Sequence, residues 1–122
     1  MKVLIVDDSK AMRMIVKRTL RQAGFTDVEV EEASNGKEAI SMIQSGSPDL
    51  VLSDWNMPEM NGYDCLLELR KLGVDVKFGF VTSEGTPEMR MKASEAGALF
   101  LIAKPFTPDT FKEHLASILV AT

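Results

Sequence analysis

Short, almost unbroken apolar runs alternate along this chain with segments of helical periodicity, and that alternation limits the fold more than any other feature. Lys2-Val3-Leu4-Ile5-Val6, Leu50-Val51-Leu52, Phe78-Gly79-Phe80-Val81 and Leu99-Phe100-Leu101-Ile102 have the character of strands buried on both faces of a parallel sheet. Val28, Val30 and Ala33 instead alternate with Glu29, Glu31 and Glu32, which predicts a half-exposed second strand at a sheet edge. Between the strands, Met12, Ile15, Val16, Thr19 and Leu20 recur at helical spacing, with Ser9 as N-cap and Gly24 as stop. A second helix is expected from Gly36 to Ser45, carrying Ala39, Ile40 and Ile43 inward. A third follows Gly62 with Leu66, Leu67 and Leu69. Thr86 and Pro87 open a fourth that ends at Gly97, and Pro108 opens a fifth with Phe111, Leu115, Ile118 and Leu119 on one face.

Five strands alternating with five helices imply βαβ units with right-handed crossovers, hence an α/β fold with an open parallel sheet. At 122 residues the chain can bury about two-thirds of its unfolded surface in one core. It is expected to be one stand-alone domain, residues 1–122, without interior linker or repeat. Cys65 is the only cysteine, so no internal disulfide forms, and it is expected to fill space in the third helix. No run suits a signal peptide or a membrane span, so a soluble, cytoplasmic protein is expected. Net charge is −4 and the cations read as scattered over the helices, which argues against nucleic-acid binding.

Ligands of open α/β sheets sit beyond the carboxyl ends of the strands, and there this chain is consistently polar. Asp7 and Asp8 end the first strand, Asp54 the third, Thr82 the fourth and Lys104 the fifth. An isolated buried charge costs several kcal/mol or more, so Asp54 calls for partners. If the first and third strands are neighbours, about 4.8 Å apart, Asp8 and Asp54 crowd like charge together, and a proton or a cation must relieve it. Oxygen ligands without nearby His or Cys favour Mg²⁺. An ammonium from Lys104 and a divalent cation flanking one carboxylate suit a transferred phosphoryl group, with the Thr82 hydroxyl able to donate to it.

The set Asp7-Asp8, Asp54-Trp55-Asn56-Met57-Pro58 through Asn61-Gly62, Val81-Thr82-Ser83-Glu84 and Lys104-Pro105-Phe106 resembles the receiver domain of two-component response regulators, in particular the single-domain chemotaxis type, over essentially the whole chain. The resemblance implies a doubly wound sheet of order 2-1-3-4-5. It implies that Asp54 accepts a phosphoryl group from a phosphohistidine on a histidine kinase. Asp8 would bind Mg²⁺ directly, Asp7 would help through water, and Asp54 and the main-chain carbonyl of Asn56 would complete the protein ligands. Lys104 would pair with the phosphoryl group, Thr82 would swing toward it as the switch, and Asn56, Ser83 and Glu84 would tune its loss to water. The implied molecule is a monomer with a phosphorylation-dependent target such as a flagellar motor switch protein, with a phosphatase as a further candidate partner. Relay intermediate or phosphate sink is the alternative role. A cis Lys104-Pro105 bond is also implied.

Other residues read as bland, and one departs from the pattern. Gly62 is expected to supply a permissive backbone, Trp55 to report on the site by fluorescence, His114 to be a solvated surface residue, and most methionines to fill gaps. Met89 and Met91, with Ala93 and Ala96, mark the fourth helix as the place to look for an output surface. The departure is Leu101, where many receivers carry an aromatic residue that changes rotamer with the threonine. Phe100 should point to the opposite sheet face and cannot stand in for it. Two other chemistries fit the architecture less well. A haloacid-dehalogenase-type phosphohydrolase needs a second acid two residues past its nucleophile, where Asp7 has Ser9 and Asp8 has Lys10. A flavodoxin-like FMN protein needs a phosphate-binding loop where this chain puts two acids.

Overall fold

The computed structural model describes residues 1–119, so the last three residues of the expected domain lie outside the described residues. The elements are β1 (Lys2–Val6), α1 (Lys10–Gln22), β2 (Glu29–Ala33), α2 (Gly36–Gly46), β3 (Leu50–Ser53), α3 (Gly62–Lys71), β4 (Lys77–Thr82), α4 (Pro87–Glu95), β5 (Leu101–Ala103) and α5 (Pro108–Leu115). The strands form one parallel sheet of order β2-β1-β3-β4-β5, the doubly wound order that the family resemblance implies. No helix among the described residues is long and apolar enough to cross a membrane.

Side-chain alternation divides the core in two. Leu4, Val6, Val51, Phe78, Phe80 and Leu101 face α2, α3 and α4, whereas Val3, Ile5, Leu50, Leu52, Val81 and Ile102 face α1 and α5. Each helix begins at a side-chain cap: Ser9, Asn35, Asn61, Thr86 and Thr107 all accept from a backbone amide three residues on. Such caps contribute about 1 kcal/mol each, and all five sit on the side of the sheet where the strands end.

Several boundaries differ from expectation. β5 is assigned only from Leu101, although Leu99 N–H donates to Phe78 O (2.8 Å) and Phe80 N–H to Phe100 O (3.0 Å), so the pairing with β4 starts where the apolar run does. α5 stops at Leu115, after which Ile118 and Leu119 both bond back to the Leu115 carbonyl and Leu119 stays buried. His114 is not a freely solvated residue. It is half-buried, with its ring 5.7 Å from that of Phe100, and Phe100 in turn lies where any side chain at Gly79 would collide with it, its ring 2.2 Å from a Cβ placed there. The cations are also less dispersed than expected, since Lys10, Arg13, Lys17, Arg18 and Arg21 all fall on α1. Cys65 does fill the core, and burial pushes its thiol up to about 12, which leaves it unreactive at neutral pH.

Candidate functional site

The carboxyl ends of β1, β3, β4 and β5 bring Asp7, Asp8, Asp54, Thr82 and Lys104 together. Backbone bonds fix the strand ends first: Asp7 N–H donates to Ala33 O (3.1 Å), Asp54 N–H to Val6 O (2.8 Å) and Lys104 N–H to Thr82 O (2.8 Å). Asp7, Asp54 and Lys104 continue the alternation of Ile5, Leu52 and Ile102, so they lean toward the α1–α5 side. Thr82 continues that of Phe80 and leans toward α4.

Lys104 Nζ lies 3.2 Å from Asp7 Oδ2 and 3.6 Å from Asp54 Oδ2, and these three side chains keep only 16, 5 and 12 % of their exposure. Asp7 is thus the nearer partner of the lysine and the more deeply buried acid of the adjacent pair, while Asp8 is exposed. One carboxylate oxygen from each of Asp7, Asp8 and Asp54 can be chosen so that all lie within 4.8 Å of one another. Three hard anionic donors converging beside one ammonium leave negative charge uncompensated, and the donor set fits Mg²⁺.

Asp54 records that imbalance. Burial raises its pKa above the ordinary carboxylate value and the Asp7 charge adds to the rise, against lowering by Lys104, the Trp55 N–H and the Thr82 hydroxyl. Trp55 N–H donates to Asp54 Oδ1 at 2.7 Å, which fixes the carboxylate's orientation. Thr82 is fully buried, its hydroxyl is close enough to Asp54 to lower that pKa, and it accepts from Glu84 N–H at 3.4 Å. Asn56 and Glu84, on the loops after β3 and β4, meet across the mouth of the site through Asn56 Nδ2 and Glu84 Oε1 at 3.2 Å. Ser83 lies exposed between Thr82 and Glu84. Leu101 is not in this cluster; it is a buried core residue on the α4 side, and Phe100 packs on the other face as alternation requires.

Some contributors are silent in the sequence. Arg13 reaches from α1 to the Asp7 carbonyl (2.6 Å) and to Glu32 (2.9 Å), yet a basic residue on an amphipathic helix ordinarily reads as solvated. Ser9 N–H holds Asp7 Oδ1 at 2.9 Å. Gly62 matters for space, not for backbone freedom: a Cβ there would lie 2.1 Å from the Asp54 carbonyl oxygen. Its N–H bonds Trp55 O at 2.8 Å, closing a loop in which Glu59 takes φ 65° and Met60 N–H turns back to Pro58 O at 2.7 Å, a γ-turn of the rarer, strained kind. The Lys104-Pro105 bond is cis, as the motif implies. The Trp55 ring is stacked on Tyr63 at 5.1 Å and tilted against Phe80 at 4.7 Å.

Residues 3–116 match the family of the response regulator receiver domain. The chain belongs to that family. The receiver is 43 % identical to the chemotaxis protein CheY-3 of Vibrio cholerae, over 97 % of this chain and 91 % of the relative. It is 41 % identical to the chemotaxis protein CheY1 of Helicobacter pylori, over 98 % and 97 %. Among solved structures, Vibrio cholerae CheY4 superposes on the receiver with a TM-score of 0.83 at 36 % identity, covering 97 % of this chain and 98 % of that one. A CheY-like receiver domain protein from Methanospirillum hungatei gives 0.82 at 31 % identity, over 95 % and 90 %.

Proposed function

We propose that this receiver is a phosphoryl-accepting signalling switch in which Asp54 takes the phosphoryl group of a histidine kinase and thereby changes what the protein binds. The observation that carries the reading is the Asp54 carboxylate held between the Lys104 ammonium at 3.6 Å and the acidic donor set it forms with Asp7 and Asp8. In the transfer, an Asp54 oxygen bonds to phosphorus as the phosphorus–nitrogen bond of the donor breaks, and the imidazole leaves with the electron pair. The trigonal phosphoryl group spreads negative charge over its oxygens on the way. Lys104 meets that charge, and the Thr82 hydroxyl donates to one of its oxygens. Asp8 and Asp54 would hold Mg²⁺ with the Asn56 carbonyl, Asp7 assisting through water, and the cation when bound supplies charge neutralisation at the phosphoryl oxygens.

The transferred group adds negative charge and acceptor oxygens beside a hydroxyl already poised between Asp54 and the Glu84 amide, which biases Thr82 toward the phosphoryl. Asn56, Ser83 and Glu84 control the water that ends the state. No separate catalyst is needed for the chemistry, since the chain promotes both gain and loss of the group. The likeness to two chemotaxis proteins at 43 and 41 % identity favours a cytoplasmic role in chemotaxis, with a flagellar motor switch protein as target and a phosphatase as further partner. A relay or phosphate-sink role is the second reading, and Leu101 favours it because no aromatic rotamer at that position can report the phosphoryl group to the surface.

Incubation with labelled acetyl phosphate and Mg²⁺ tests the reading. Wild type should take up label and Asp54→Ala should not; equal labelling of the two would refute it.

A further inference from the structure

The leucine at position 101 leaves open how movement of Thr82 reaches α4, and an arginine on α4 supplies a physical link. Arg90 is exposed, yet its guanidinium is fixed at two points: Nε donates to the Gly85 carbonyl at 3.2 Å and Nη1 to the Leu101 carbonyl at 3.1 Å. Gly85 lies three residues past Thr82 on the same loop. Its backbone is packed so closely that an added Cβ would lie 3.1 Å from Arg90 Nη2 and 3.4 Å from the Leu101 side chain. The Leu101 carbonyl is on the open side of the sheet. β5 is the terminal strand, and Phe100 O and Lys104 N–H point at β4, so the groups of Leu101 point away. One planar fork therefore ties together the loop after β4, the free edge of β5 and the helix that bears Arg90, with a geometry that lysine cannot reproduce.

α4 has little else to hold it in place, since Ala93 is its one fully buried residue. We propose that Arg90 is the positioning residue that carries the Thr82 movement to α4 and to the edge of β5, in place of an aromatic side chain at position 101. Resting on the phosphoacceptor reading above, the sequence of events is mechanical. The phosphoryl group draws the Thr82 hydroxyl off the Glu84 amide, Ser83 to Gly85 shift with it, and Arg90 must either move with the Gly85 carbonyl or release it. In the first case α4 is displaced relative to β5; in the second it loses one of its two tethers, and in either case its exchange changes.

The test is hydrogen–deuterium exchange over residues 87–95 in wild type, Arg90→Ala and Arg90→Lys, each with and without Mg²⁺ and beryllofluoride, with Trp55 fluorescence recorded on the same samples. Trp55 fluorescence should respond to beryllofluoride in all three. In wild type the mimic should change α4 exchange by about fivefold or more, the lower range of coupling between sites. That change should vanish in Arg90→Ala and be less than half recovered in Arg90→Lys. A merely structural arginine would shift exchange equally with and without the mimic. An Arg90→Ala protein that keeps the full wild-type change overturns the inference while leaving the phosphoacceptor reading intact. A Trp55 signal that ignores beryllofluoride in wild type overturns the phosphoacceptor reading itself, and this inference with it.

Discussion

The carboxyl ends of β1, β3, β4 and β5 and the helix α4 beside them are built on opposite terms. At the strand ends Asp7, Asp54 and Lys104 are each held by more than one partner. Asp54 meets Lys104, the Trp55 amide and Thr82; Asp7 meets Lys104 and the Ser9 amide. Among the described residues no buried polar side-chain atom lacks a hydrogen-bond partner. α4, by contrast, buries Ala93 alone, exposes Met91 to 64 % and is flanked by Leu99 at 53 %. The difference teaches where precision is invested. Transfer of a phosphoryl group needs atoms held in place, whereas a signal needs an element that can sit in two places at modest cost.

Substitutions can break or sharpen that contrast. The largest effect is expected at Gly62, where alanine drives a Cβ into the Asp54 carbonyl. Gly62→Ala should cost about 3 kcal/mol by denaturant titration, the upper range for overpacking. Lys104→Met removes the ammonium that pairs with Asp7 and Asp54 and should cost about 2 kcal/mol, because two acids are left without that counter-charge. Added Mg²⁺ should recover part of that loss in a thermal melt.

Asp54→Asn should act in the opposite direction. A carboxyl whose folded pKa is raised binds its proton more tightly folded than unfolded, so ionised Asp54 weakens the fold at neutral pH. The penalty is relieved as pH falls through the raised value toward the unfolded one. Without Mg²⁺ the variant should therefore melt above wild type at pH 7, by on the order of 1 kcal/mol in stability. The gap should close as the pH approaches about 4, near the unfolded carboxylate value. Smallest is Met91→Ser, at an exposed position. Its stability should stay within about 0.5 kcal/mol of wild type, while capture of a phosphorylation-dependent partner weakens. A change of several kcal/mol would mean that α4 is no less fixed than the site.

What could be read from the chain follows the same division. Apolar runs fix which residues end a strand, so Asp54, Thr82 and Lys104 could be named before any coordinates. Alternation along β5 correctly sent Phe100 and Leu101 to opposite faces. The division of labour between Asp7 and Asp8 was less legible, because it depends on which of two adjacent acids continues the inward alternation beyond Val6. Gly62 was assigned for the wrong reason, since a close approach of two backbone segments leaves no trace in local sequence. His114 looked solvated, and Arg13 carried no signal at all, because a helix position says nothing of a long-range partner such as Phe100 or the Asp7 carbonyl. Arg90 was invisible for the same cause: its partners are main-chain carbonyls, which every residue carries.

The central claim is that the phosphoryl group resides on Asp54 and not on the neighbouring acids that share its charge cluster. Borohydride reduction of the phosphorylated protein converts an aspartyl phosphate to homoserine, and peptide mass spectrometry then locates the altered residue. The account predicts homoserine at position 54, formed only with Mg²⁺ present. Homoserine at position 7 or 8, or at none of the three, would contradict it.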